Sequence, residues 1–124
     1  MSAAPPRAAR DLGLAAEEAA ARFLESKGLS IVGRNYRTRF GEVDLVARDG
    51  ATLVFVEVRR RTSRAFGGAA ASVDARKRSR LVAAARHYLA RLGTEPPCRF
   101  DVVTWDGHRG PPGWIRAAFE PDEG

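Results

Sequence analysis

Three charged residues stand where apolar ones would be expected. From Gly41 to Arg61 the chain reads GEVDLVARDGATLVFVEVRRR, the pattern of a buried β-hairpin, yet it carries Asp44, Glu57 and Arg59. Asp49-Gly50 is a strong hairpin signal. A two-residue turn there sets Arg48 opposite Ala51, Asp44 opposite Phe55 and Glu57 opposite Glu42. Side chains alternate faces along a strand. One face therefore carries Glu42, Asp44, Val46, Leu53, Phe55, Glu57 and Arg59. The other, with Val43, Leu45, Ala47, Val54, Val56 and Val58, is a core face. Asp44 and Glu57 become diagonal neighbours, about 7–8 Å apart between backbones. Two carboxylates that close in a partly buried strand repel each other and lose solvation. A divalent cation removes both costs, and hard oxygen ligands with room for waters suit Mg²⁺ or Mn²⁺. The competing reading pairs both acids with Arg59 or Arg60 as an ordinary ion-pair cluster. A turn of odd length would send Asp44 and Glu57 to opposite faces and end the metal reading.

The elements that must position these groups can be read outward from the hairpin. Leu14 to Lys27 shows an apolar stripe of Ala16, Ala19, Ala20, Phe23 and Leu24 at helical spacing, with Gly28 as a stop. Leu29 to Val32 predicts a short strand, followed by the connector RNYRTRFG. After the hairpin, residues 62–72 (TSRAFGGAAAS) are Gly/Ala/Ser-rich and predict a mobile loop. Asp74 to Leu92 predicts a second helix, capped by Asp74 and ended by Gly93. Arg99 to Trp105 predicts a strand, and Trp114 to Phe119 a last short one. The order α-β-β-β-α-β-β gives an α/β fold, one central mixed sheet flanked by helices. Residues 13–119 form one domain between a flexible tail at 1–12 and an acidic tail at 120–124.

Charge is distributed unevenly. The chain of 124 residues carries a net charge of +6. Residues 1–58 hold 8 basic and 8 acidic side chains, residues 59–91 hold 10 and 1, and residues 92–124 hold 3 and 6. A one-sign patch attracts a polyanion, most commonly nucleic acid, although a solvated arginine-rich face looks the same from charge alone. The single cysteine, Cys98, rules out an internal disulfide and suits a reducing, cytoplasmic setting. No apolar run approaches the roughly 18 residues of a membrane span. His87 and His108 lack ligand-spaced partners, and Gly67-Gly68 is no phosphate cradle.

An Asp on one strand followed by Glu-x-base on the next resembles the active site of restriction-endonuclease-like nucleases. The longer string GEVDLVARDG…LVFVEVRRR…FGGAAASV…RFDVV resembles the YraN-like family of small bacterial proteins, from about Gly13 to Phe119. That family is similar to the archaeal Holliday-junction resolvases in fold and in the placing of its acids. The resemblance implies a restriction-endonuclease-like fold, with Asp44, Glu57 and the Val58 carbonyl holding Mg²⁺ or Mn²⁺. It also implies a site Glu in the first helix. Glu17 lies at the edge of the apolar stripe and matches the family's Gly13-x-x-x-Glu spacing, whereas Glu18 points toward water. One departure stands out: Arg59 occupies the usual Lys position. Arg keeps its charge, so it can clamp a phosphate but not act as a base. Arg60, Arg61, Arg64, Arg76, Lys77, Arg78 and Arg80 would grip the DNA backbone. Such contacts read shape rather than sequence, which points to branched DNA. Resolvases cut as dimers, and residues 100–105 and 114–119 offer apolar surface either for a homodimer or for the core. The rivals to a nuclease are a DNA-binding protein that has lost its chemistry and a basic domain that binds an acidic protein.

Overall fold

The structure is a computed structural model that describes residues 7–60, 75–107 and 110–121, with the backbone alone for 7–12. Helix α1 (Arg7–Ser26) starts seven residues before the expected Leu14. The sequence RAARDLGLAA is rich in strong helix formers, and their propensity outweighs Gly13. Ala16, Ala20, Ala21 and Leu24 are buried along one stripe. At the C-terminal end Gly28 takes φ 94°. The Leu29 N–H bonds the Leu24 carbonyl at 3.1 Å, and the Gly28 N–H bonds that of Glu25 at 3.0 Å. This is a Schellman stop, as the glycine suggested.

Strand β1 (Ser30–Thr38) absorbs most of what reads as a connector. It is an edge strand, so its arginines can face water while Tyr36 packs inward, and the mixed composition conceals the strand. Strands β2 (Gly41–Asp49) and β3 (Thr52–Arg60) form the expected hairpin. Helix α2 (Ala75–Leu92) then leads to β4 (Cys98–Trp105) and β5 (Gly113–Phe119). The five strands lie in sequence order. Only β3 and β4 run parallel, as their crossover through α2 requires. The fold is the mixed α/β sheet expected.

The hairpin register differs from the reading by two residues. Asp49 pairs with Thr52 and Leu45 with Val56, because the turn residues are Gly50 and Ala51, with Gly50 at φ 61°. An even shift keeps each side chain on its face.

Both faces of the sheet are covered. Helix α1 packs over Leu45, Ala47, Val54, Val56 and Val103. Helix α2 packs over Val46, Leu53, Phe55, Phe100 and Val102. Phe55 lies between Tyr88 and Phe100, with ring centroids 5.8 and 5.7 Å away. Phe119 closes that core, and Trp114 meets Phe23 edge-on at 5.9 Å. Most of the apolar surface at 100–105 and 114–119 is thus spent inside the protein. Among the described residues, no helix is long and apolar enough to cross a membrane.

Candidate active site

The site forms where the central hairpin comes apart. The β2–β3 pairing reaches Leu45–Val56 and goes no further toward Gly41. At the next position Asp44 takes over, its Oδ2 accepting the Val58 N–H at 2.8 Å in place of a backbone carbonyl. The face alternation breaks at the same point. Leu45 and Ala47 pack on the α1 side, but Val43 packs on the α2 side with Val46. This corrects the regular alternation expected from the sequence. On β1, between the Arg34–Leu45 and Tyr36–Val43 pairs, Asn35 adopts φ 51°. Asn is among the few residues that tolerate this left-handed conformation. The kink at Asn35 and Asp44 turns Asp44 toward α1.

Asp44 therefore lines a cleft of about 260 Å³ with Gly13, Ala16, Glu17, Val58, Arg59 and Arg60. Glu57 lines a smaller groove on the other side of β3 with Glu42, Lys77, Arg80 and Leu81. The two acids are neighbours across the fork but open to two sides, whereas the sequence placed them on one face.

The electrostatics centre on Asp44, whose carboxyl is pushed up to about 8. Burial is the first cause, the charge of Glu57 the second, and Glu17 adds to both, while the Val58 N–H works the other way. Glu57 meets Arg59 at 3.7 Å and Lys77 at 3.5 Å. The ion-pair reading thus holds for Glu57, with Lys77 as a partner the hairpin alone could not reveal. Glu17 accepts a 3.0 Å hydrogen bond from Asn35 Nδ2. Glu18 pairs with Arg22 and Arg34 on the surface, which lowers its carboxyl below the ordinary value. The helical wheel separated the two glutamates correctly.

Among the described residues, no three His, Cys, Asp or Glu side chains gather into a group that could hold a metal ion. Asp44 and Glu57 offer two carboxylates, and Glu17 lines the cleft with Asp44. Mg²⁺ suits such a set, because it keeps several waters and needs only one or two protein carboxylates. Burial first, and then the charge of Glu57, hold the Asp44 carboxyl high, and a cation would offset both.

Arg60 is exposed at the cleft mouth, and Arg76, Lys77 and Arg80 are exposed on α2. Arg78 departs from the expected row: it is half-buried, with its guanidinium 5.9 Å over the Phe119 ring. At 100° per residue a helix cannot point Arg76, Lys77, Arg78 and Arg80 the same way. Arg61, Arg64, the 62–72 loop, Asp74 and His108 lie outside the described residues. His87 is exposed, and Cys98 is partly buried with its Sγ 3.2 Å from the Pro96 carbonyl oxygen. Sequence reasoning missed Asn35. The available signal was an Asn within an arginine-rich stretch, a residue type suited to a kink.

The pattern of the uncharacterised protein family UPF0102 matches residues 16–105. A UPF0102 protein of Nitrosospira multiformis is 55% identical over 109 residues, spanning 87% of this chain and 92% of its own length. One from Nitrosomonas europaea is 53% identical over 109 residues, with the same coverage of 87% and 92%. One from Cupriavidus taiwanensis is 54% identical over 120 residues, covering 95% of this chain and 88% of its own.

Proposed function

The chain belongs to the uncharacterised protein family UPF0102, and for this member we propose divalent-metal-dependent hydrolysis of DNA phosphodiesters, selective for branched or flapped shape. The observation that carries the proposal is the Asp44 carboxyl, pushed up to about 8 beside Glu57 and Glu17 and open to a cleft edged by Arg59 and Arg60. A perturbed acid in a cleft with a cationic rim is a functional-site signature.

Asp44 and Glu57, with the Val58 carbonyl, would hold Mg²⁺ or Mn²⁺. When bound, the ion would supply Lewis acidity to a phosphate oxygen and make a water more acidic. Arg59 grips the scissile phosphate and stabilises the charge that builds as the water oxygen adds to phosphorus and the P–O ester bond breaks. Glu17, steadied by Asn35, orients that water and receives its proton, and the departing ester oxygen takes a proton from solvent. Arg60, Lys77, Arg76 and Arg80 hold flanking phosphates, each adding about −0.9 to the log–log salt slope on duplex DNA.

A second reading, binding without cutting, is favoured by one residue. Arg59 stands where the resembling nucleases carry Lys, and its proton is fixed. Labelled four-way, flapped and blunt DNA incubated with Mg²⁺, Mn²⁺ or EDTA separates the two. Metal-dependent cleavage that disappears in Asp44→Asn and Glu57→Gln supports hydrolysis. Salt-sensitive binding without cleavage leaves the second reading. No binding even at about 50 mM salt overturns both and leaves a protein-binding basic face.

A further inference from the structure

From the β1–β2 turn we infer that Phe40 is a stacking platform for an unpaired nucleobase, placed beside the proposed site. Phe40 is 59% exposed, the one aromatic among the large exposed apolar side chains of the described residues. Its mount is built rather than loose. The Thr38 hydroxyl accepts the N–H groups of Phe40 and Gly41, each at 3.1 Å, and donates to the Gly41 carbonyl at 2.9 Å. Gly41 itself is buried against α2, so close that a Cβ would overlap the Arg80 carbonyl oxygen. The tip therefore holds an apolar ring out in water on a support tied to the body of the fold.

Its surroundings select the ligand. The Arg39 guanidinium lies 5.5 Å over the Phe40 ring, a cation–aromatic pair that presents a flat, positively charged surface. Glu42, two residues on, pairs with Arg37 and lines the groove that holds Glu57, Lys77 and Arg80. A strand whose phosphates follow Lys77 and Arg80 would bring its bases to the tip. Base–aromatic stacking serves any base, because every base has a flat face. Fully paired duplex keeps its bases stacked inside, whereas flaps, gaps and junctions offer loose ones. This inference rests on the proposed DNA reading and sharpens it: the preferred substrate carries an unpaired nucleotide next to the bond that is cut.

The test measures affinity by fluorescence anisotropy with Ca²⁺ in place of Mg²⁺, on flapped, gapped and blunt DNA, for wild type, Phe40→Ala and Phe40→Trp. Phe40→Ala is expected to lose about 5–100-fold on flapped and gapped DNA and nothing on blunt duplex. Phe40→Trp is expected to keep the affinity, with indole fluorescence quenched on binding gapped DNA. Equal affinity of wild type and Phe40→Ala for gapped DNA overturns the inference, as does an equal loss on blunt duplex. A change of oligomeric state in Phe40→Ala would instead assign the ring to contact between copies and overturn it too. The readings it rests on are tested separately: hydrolysis by metal-dependent cleavage and its loss in Asp44→Asn, and DNA binding itself by whether wild type binds any of the three DNAs at about 50 mM salt.

Discussion

Asp44 and Asp101 are both acids set into the sheet, and their surroundings treat them oppositely. Asp101 is fully buried, yet both oxygens are served. Arg99 Nε donates to Oδ1 and Oδ2 at 3.1 and 3.2 Å, Trp114 Nε1 donates at 2.9 Å and the Ala117 N–H at 2.9 Å. Arg99 also reaches Asp49 at 2.8 Å, and these partners hold its guanidinium above the ordinary value. Asp44 is less buried, accepts the Val58 N–H and faces two more carboxyls. Burial alone does not distinguish a site from a strut. What distinguishes them is whether the protein has supplied the opposite charge itself.

The largest expected effect sets these residues against each other in stability. Asp101→Ala leaves Trp114 Nε1 and the Ala117 N–H without their acceptor and takes one of the two carboxylates from Arg99, and it should cost about 3–5 kcal/mol in urea unfolding, as removing half of a buried pair does. Asp44→Ala should cost far less, since it also removes repulsion with Glu57. Equal losses would erase the distinction. Next comes chemistry: Asp44→Asn and Glu57→Gln should each lower metal-dependent cleavage by at least about 100-fold, and Asp101→Asn should leave the rate of the folded fraction near wild type. Arg59→Lys should lower cleavage about tenfold, because a point charge replaces a two-pronged grip. A rise instead would mean that a removable proton was the missing part.

The pH dependence separates the two acids as well. The Asp44 carboxyl lies at about 8 in the fold, against 3.8 ordinarily. Between those values the folded chain holds a proton that the unfolded chain has released. Stability from this group is complete below about pH 4 and is lost as pH rises through 8. The melting temperature should fall steadily from pH 5 to pH 8, and less so in Asp44→Asn. Adding Mg²⁺ at pH 8 should restore the wild type and leave the variant unchanged.

Much of this arrangement was legible in the sequence, for identifiable reasons. Asp49-Gly50 announced the hairpin, although the turn fell one residue later, at Gly50 and Ala51. Because the side-chain period is two, the faces from Leu45 to Val56 survived the error, but the shared face of Asp44 and Glu57 did not, since the alternation breaks beyond Leu45. The helical wheel selected Glu17 over Glu18 because one edge of α1 had to meet the sheet. What stayed hidden depended on irregular backbone or on distant parts of the chain. The kink at Asn35 has no periodic signature. Lys77 reaches Glu57 only after the crossover folds back. Asp101 and Arg99 sit within an apolar run, and nothing local shows that Trp114 and Ala117 return to bond them. Strand β1 was hidden because an edge needs only one apolar side.

Gly41 has ordinary backbone angles, so its importance comes from volume rather than conformation. The separation between the cationic helix and the acidic strand is held by a vacancy the size of one methyl group. Anything larger there would act as a wedge, lifting Lys77 and Arg80 away from Glu57 while both partners kept their own identities. The electrostatic match between α2 and β3 is thus a matter of tolerance, in the machinist's sense, set at a residue that carries no charge.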